Sequence, residues 1–344
     1  MGNAVVVGVD VGGTKIAVGL VDQEGKVISR RKHPTGAGDG RDAIMQRIIR
    51  YTSEMISYAR ELGFVPQAVG IATPGILDYE SGKVRFATVN LKGWSETPIV
   101  SEVQQALALP CAVENDANAA AIAESRLERS GGIRDILFIS VGTGIGGGII
   151  LGGNIVRGFI GSAGGFGHIS IDHAGPRCYC GNHGCVELYA SGKAIAERVK
   201  SRAELRRRMG SYEKPGTEPN DGPMDELGDV RRIIEIAVNG DIEARGILEE
   251  CGRYIGMAAA SAINLLNPQA VIVGGGVAEA GDLLLKPIRD VVRERTFPPA
   301  GQETKVKKAT FAGDAGFLGA SLLAWDMVNK GSREAQQAVG IGQA

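Results

Sequence analysis

Cys178, Cys180 and Cys185 stand in a C-x-C-x4-C spacing, with Gly181 and Gly184 letting the chain turn tightly between them. Three thiolates and one imidazole close a tetrahedral Zn2+ site with no open position for catalysis, so a metal here is expected to be structural. His168, His173 and His183 can each supply the fourth ligand, and spacing alone does not choose among them. The other two of the five cysteines, Cys111 and Cys251, lie among apolar or small residues and are expected to be packing residues, not a disulfide framework.

A second group carries carboxylates. Glu114-Asn115-Asp116-Ala117-Asn118 follows a short apolar strand and opens an alanine-rich helix. Asn or Asp at such a boundary caps the helix. A carboxylate there is equally placed to take the proton of an attacking hydroxyl, and the positive helix end favours its ionised form. Both readings stand on the residues alone.

A third group is rich in glycine. Asp10-Val11-Gly12-Gly13-Thr14-Lys15 and Gly142-Thr143-Gly144-Ile145-Gly146-Gly147 each follow an apolar strand. Turns of this kind present backbone N–H groups to an anion, and the missing side chains let phosphate oxygens approach. The second turn satisfies G-x-G-x-x-G but opens another strand instead of a helix, so a dinucleotide fold is excluded, and no Walker sequence occurs. Asp10 can hold Mg2+ beside phosphates or simply cap a hairpin. Lys15 can reach a phosphate or point to solvent. Gly274-Gly275-Gly276, ending a third strand before a helical stretch, can let an adenine or ribose lie against backbone.

The elements that must position these groups follow from periodicity. Residues 5–9, 16–21 and those from 26 onward read as an antiparallel meander. Apolar residues at Ile44, Ile48, Ile49, Met55, Ile56 and Ala59 predict a helix, and residues 68–72 a buried strand ending at Thr73-Pro74-Gly75. The strand, glycine turn, strand, glycine turn pattern recurs from residue 136, which points to two related halves facing each other across a cleft. The polar stretch at about 204–229 reads as an inserted surface loop, and 331–344 as a flexible tail.

Composition sets the outer bounds. The chain has 344 residues, 44% apolar and 22% charged, with a formal net charge of −1, so no global basic field draws it to nucleic acid or membrane. No run approaches the roughly 18 apolar residues of a membrane span. No secretory signal pattern opens the chain, and a cytoplasmic location is expected. Fifty-one glycines are the clearest excess, grouped between strand-like runs as if backbone approached a ligand.

Together these motifs resemble the ROK family of sugar kinases and repressors, from about Val5 to about Leu323. The cysteine signature with the following Glu187 is the most specific match. The resemblance implies an α/β protein of the two-domain actin-like (ribonuclease H-like) ATPase fold. The small domain would be 1–113 plus about 314–330, and the large domain 114–313. It implies ATP with Mg2+ on Asp10, Gly12, Gly13, Thr14, Lys15, Gly142, Thr143, Gly144, Gly146, Gly274, Gly275 and Gly276, with structural Zn2+ on Cys178, Cys180, Cys185 and His168. Asp116 would be the general base for transfer to the 6-hydroxyl of a hexose such as glucose. Gly75, Asn90, Asn115, Asp116, His168 and Glu187 would contact the sugar. The family's E-x-G-H motif reads Gly165-Phe166-Gly167-His168 here, and the missing carboxylate implies tolerance at carbon 2, including mannose. An N-acetylmannosamine or other amino-sugar kinase and a polyphosphate donor stay open, and a homo-oligomer, dimer or tetramer, is expected. A ROK repressor is the rival from another class, but only nine residues precede Asp10, too few for a DNA-binding helix-turn-helix.

Overall fold

The computed structural model describes residues 3–87, 91–202, 205 and 226–341. Asn90 lies outside them, as does most of the expected insertion at 204–229; a helix, Glu226–Val238, has begun by its end. The chain divides into two compact units.

The first unit comprises Met1–Leu127, Ile155–Ala163 and Asp314–Ala344. Its strands are β1 (Ala4–Val11), β2 (Lys15–Val21), β3 (Val27–Pro34), β4 (Val65–Thr73) and β7 (Cys111–Asn115), in the order β3-β2-β1-β4-β7; β5 (Ile76–Asp78) and β6 (Lys83–Phe86) form a separate hairpin. The predicted meander is antiparallel, whereas β4 and β7 run parallel to β1. Both faces of a partly parallel sheet must be covered. On β1, Val5, Val7, Val9 and Val11 point into a core with Ile44, Ile48 and Met55 of the predicted helix α1 (Arg41–Glu61). The alternate residues face the C-terminal helix Ala315–Ile341, where Gly8 and Gly70 let the helix backbone lie directly on the sheet. Helix α2 (Ile99–Leu107) leads into β7, and α3 (Asp116–Glu128) follows it.

Two boundaries differ from the sequence reading. The unit runs past residue 113 because β7 is one ladder, with Cys111–Asn115 paired to Val69–Thr73, so the Asn115-Asp116 turn belongs here and not with residues 114–313. The last helix continues to Ile341 instead of ending near 330, through Glu, Ala and Gln residues that favour helix.

The second unit comprises Glu128–Asn154 and Gly164–Gly313. Strands β8 (Ile136–Val141), β9 (Ile145–Leu151), β10 (Asn154–Ile155), β11 (Ala270–Gly274) and β12 (Lys305–Lys308) lie in the order β10-β9-β8-β11-β12, with β8/β9 antiparallel and β8/β11/β12 parallel. An antiparallel hairpin beside parallel strands therefore occurs in both units, as the recurring glycine pattern predicts. Short helix α4 (Glu187–Ala190) and α5 (Gly192–Lys200) precede two long helices, Ile242–Leu266 and Asp282–Arg295. These pack through Gly252 and Gly256 onto Leu284, Pro287 and Val291. Cys251 is buried in this core and Cys111 in the other, as expected of packing residues; burial pushes each thiol up to about 12.

Candidate active site

In the first unit, the turn after β1 is closed by Gly12 N–H donating to the Lys15 carbonyl (3.0 Å). Thr35 braces it through its hydroxyl on the Gly12 carbonyl (2.7 Å) and its N–H on the Thr14 carbonyl (3.1 Å). Gly13, Thr14 and Lys15 are exposed. Asp10, at the end of β1, lies against the first turn of the C-terminal helix, where any side chain on Gly316 would strike its carboxylate. Burial, and then the Asp116 charge, push Asp10 up to about 7, with Lys15 and Lys32 pulling the other way. Lys32 was missing from the sequence reading. Its signal is register: Asp10 pairs with Ala17 and Ala17 with Lys32, so the three form one row across the sheet. Burial and the neighbouring Lys15 and Arg30 hold Lys32 below the ordinary lysine range, and it reaches Asp314 at 3.4 Å.

The carboxylate motif folds as a strand-to-helix turn. Asn115 is the N-cap of α3: its Oδ1 accepts from the N–H groups of Ala117 (3.0 Å) and Asn118 (3.2 Å). Such a cap contributes about 1 kcal/mol. Its Nδ2 donates to the Gly75 carbonyl (3.1 Å), joining two of the predicted sugar contacts. The Thr73-Pro74-Gly75 turn is held by buried Trp94, whose Nε1 donates to Thr73 Oγ1 (2.8 Å). Asp116 is half-buried, with one oxygen on the Ala117 N–H (2.8 Å). Burial raises its pKa, opposed by hydrogen bonds from the Ala117 and Asp116 amides and the Asn115 side chain. A carboxylate raised in this way is a stronger base near neutral pH.

In the second unit, the Gly142 carbonyl accepts from Gly192 N–H (2.8 Å) at the start of α5, which backs the second glycine turn. Glu187 reaches the same turn: its Oε2 accepts from Ile145 N–H (2.8 Å), and a side chain at Gly144 would collide with that oxygen. Gly275, at φ +84°, packs on the Val141 backbone, so the third glycine segment adjoins the second.

His168 Nδ1 lies 3.7 Å from Cys178 Sγ, and Cys180 Sγ lies 3.6 Å from Cys185 Sγ; all four donor atoms fall within 4.8 Å of one another. Metal–ligand bonds of about 2.3 Å to sulfur and 2.0–2.1 Å to nitrogen, at tetrahedral angles, place donors roughly 3.6–3.8 Å apart, so the cluster fits zinc. Burial and the adjacent thiols push Cys185 up to about 12, a load a divalent cation relieves by binding thiolate. Among the three candidate histidines it is His168 that joins the cysteines, while His183 Nδ1 faces the Gly175 carbonyl (3.1 Å). Gly165 is exposed and sits in an inverse γ-turn (φ −65°, ψ 49°), closed by Phe166 N–H on the Gly164 carbonyl.

A family model described as "ROK family" matches residues 6–327. The chain belongs to the ROK family. It is 38% identical over 283 residues to a glucokinase of Streptomyces coelicolor, covering 82% of this chain and 85% of that protein. It is 33% identical over 322 residues to a glucokinase of Halalkalibacterium halodurans, covering 92% and 94%. Among solved structures, a ROK family glucokinase from Streptomyces griseus in complex with glucose and AMPPNP superposes with a TM-score of 0.77 at 38% identity, covering 93% of this chain and 99% of that one. The α/β fold is that of ROK glucokinases. Within it, the first unit of this ROK protein carries Asp10, Gly12, Gly13, Thr14, Lys15, Gly75, Asn115 and Asp116. The second carries the remaining described candidates.

Proposed function

We propose that this ROK protein transfers the γ-phosphoryl group of ATP to the 6-hydroxyl of a hexose. The observation that carries the reading is the Asn115-Asp116 turn: a half-buried carboxylate, raised in pKa, at the N-terminus of α3 and within electrostatic reach of Asp10. In the reaction the sugar oxygen attacks the γ-phosphorus, and the bond to the β–γ bridging oxygen breaks. The sugar proton passes to Asp116. The transition state of such a transfer is loose, so the protein chiefly positions groups and neutralises charge. That is work for the open backbone of the glycine turns and for Lys15 and Lys32.

Asp10 and Asp116 raise one another's energy when both are ionised, which a divalent cation offsets. Magnesium held beside Asp10 would supply that neutralisation together with charge screening of the phosphates. Zinc on His168, Cys178, Cys180 and Cys185 would staple the segment from which His168 and Glu187 meet the sugar. Asn115 brings one remaining amide N–H to a sugar oxygen, because its own oxygen is committed to the helix cap. With Gly165 in place of the family carboxylate, glucose and mannose should be used with comparable kcat/KM, since no site group loses a partner when the epimer binds.

The test is product formation with glucose, mannose, glucosamine, N-acetylglucosamine, N-acetylmannosamine and fructose, using Mg-ATP or polyphosphate as donor. Hexose 6-phosphate from glucose and mannose is expected. A preference for N-acetylmannosamine, or no product from any sugar, would overturn the reading.

A further inference from the structure

Glu114 is fully buried immediately before the Asn115-Asp116 turn, and none of the roles above uses it. Its oxygens are saturated. Oε1 accepts from the Tyr79 hydroxyl (2.5 Å), Asn118 Nδ2 (3.0 Å) and Asn115 N–H (3.0 Å). Oε2 accepts from Arg157 Nε (2.9 Å) and Nη2 (2.6 Å). The guanidinium lies over the Tyr79 ring, 4.6 Å from its centre.

The Arg157 side chain is 34% exposed but Glu114 is wholly buried, and withdrawing that carboxylate from water is costly where an apolar residue of similar volume is often as stable, so stability alone does not account for it. Its contacts point to another purpose. Through one oxygen Glu114 holds the backbone N–H of Asn115 and the side chain of Asn118, which flank Asp116 in sequence on either side. Arg157 grips the other oxygen, Oε2, with Nε and Nη2 together, a two-donor hold that lysine does not offer. Arg157 also belongs to Ile155–Ala163, the segment of the first unit from which the chain runs on through Gly164 and Gly165 to His168.

We propose that Arg157, acting through Glu114, is a positioning residue for Asp116: the fork sets the carboxylate that sets the strand-to-helix turn. The proposal rests on the kinase reading. A displacement of the base by about 1 Å costs on the order of 100-fold in rate. Arg157→Met is therefore expected to lower kcat by roughly that factor while KM for ATP changes less than about twofold. Arg157→Lys keeps the charge but not the fork and should recover only part of the loss.

The deciding variant is the double substitution Glu114→Gln with Arg157→Met, which removes both charges and hence the cost of leaving one unpaired. It should melt close to the wild type and yet remain slow. Glu114→Gln alone, which keeps the shape of the side chain, replaces Arg157→Met if that variant does not fold. Wild-type kcat in the folded double variant, or in Arg157→Met well below its melting temperature, would make the pair purely structural and overturn the proposal. Absence of turnover in the wild type would instead remove the kinase reading, and the proposal with it.

Discussion

If position 165 faces carbon 2 as proposed, replacing Gly165 with Glu should introduce discrimination between glucose and mannose. The backbone permits the change. Gly165 adopts φ −65° and ψ 49°, an inverse γ-turn open to any L residue, and it is exposed. Folding stability should accordingly stay within about 0.5 kcal/mol of wild type. The functional gain is one hydrogen bond between a charged acceptor and the 2-hydroxyl, worth about 1.5–3 kcal/mol. Because the axial 2-hydroxyl of mannose points elsewhere, that energy appears as a roughly 10- to 150-fold rise in the glucose-to-mannose ratio of kcat/KM. The assay is coupled ADP release over a range of each sugar, with the melting temperature recorded beside it. A ratio that moves less than about twofold in a protein of unchanged stability would refute the assignment of position 165 to carbon 2.

Two further outcomes follow from the charges and the thiols. Because Asp10 is raised from 3.8 to about 7, the folded state keeps a proton that the unfolded chain releases. The stability tied to that proton is present below about pH 4 and is lost as pH rises through 7. Asp10→Asn should therefore melt progressively higher relative to wild type as pH goes from about 5 to about 8, and a difference independent of pH would contradict the buried-charge account. Elemental analysis of purified protein should find one zinc per chain, removable by a strong chelator and reduced in Cys180→Ser; wild-type protein without zinc would contradict the tetrahedral assignment.

Much of this site was legible because its chemistry is local. The cysteines, Asp10 and the Asn115-Asp116 turn each lie in a short motif that marks them as candidates from residue type and spacing. His168 was open among three histidines until the chain fold brought it to the thiols, since nine residues of intervening loop separate it from Cys178 in a way spacing does not resolve. Lys32 and Arg157 were missed because their partners are set by strand register and by a distant segment. In sequence the glycine excess reads as backbone approaching a ligand. The structure gives part of it a second cause, because Gly8, Gly70 and Gly319 let the C-terminal helix lie on backbone, and Gly252 and Gly256 do the same between two helices. Of the two readings of its motif, Asn115 displays the capping one: its Oδ1 caps the helix while its Nδ2 donates to the Gly75 carbonyl.

The central claim is that Asp116 is the base of a sugar kinase, and ADP release from Mg-ATP with glucose by wild type and Asp116→Asn tests it most directly. Turnover in the wild type, falling by about 100-fold or more in a variant that folds and binds ATP equally well, is the predicted result. Equal turnover in the two proteins would contradict the account.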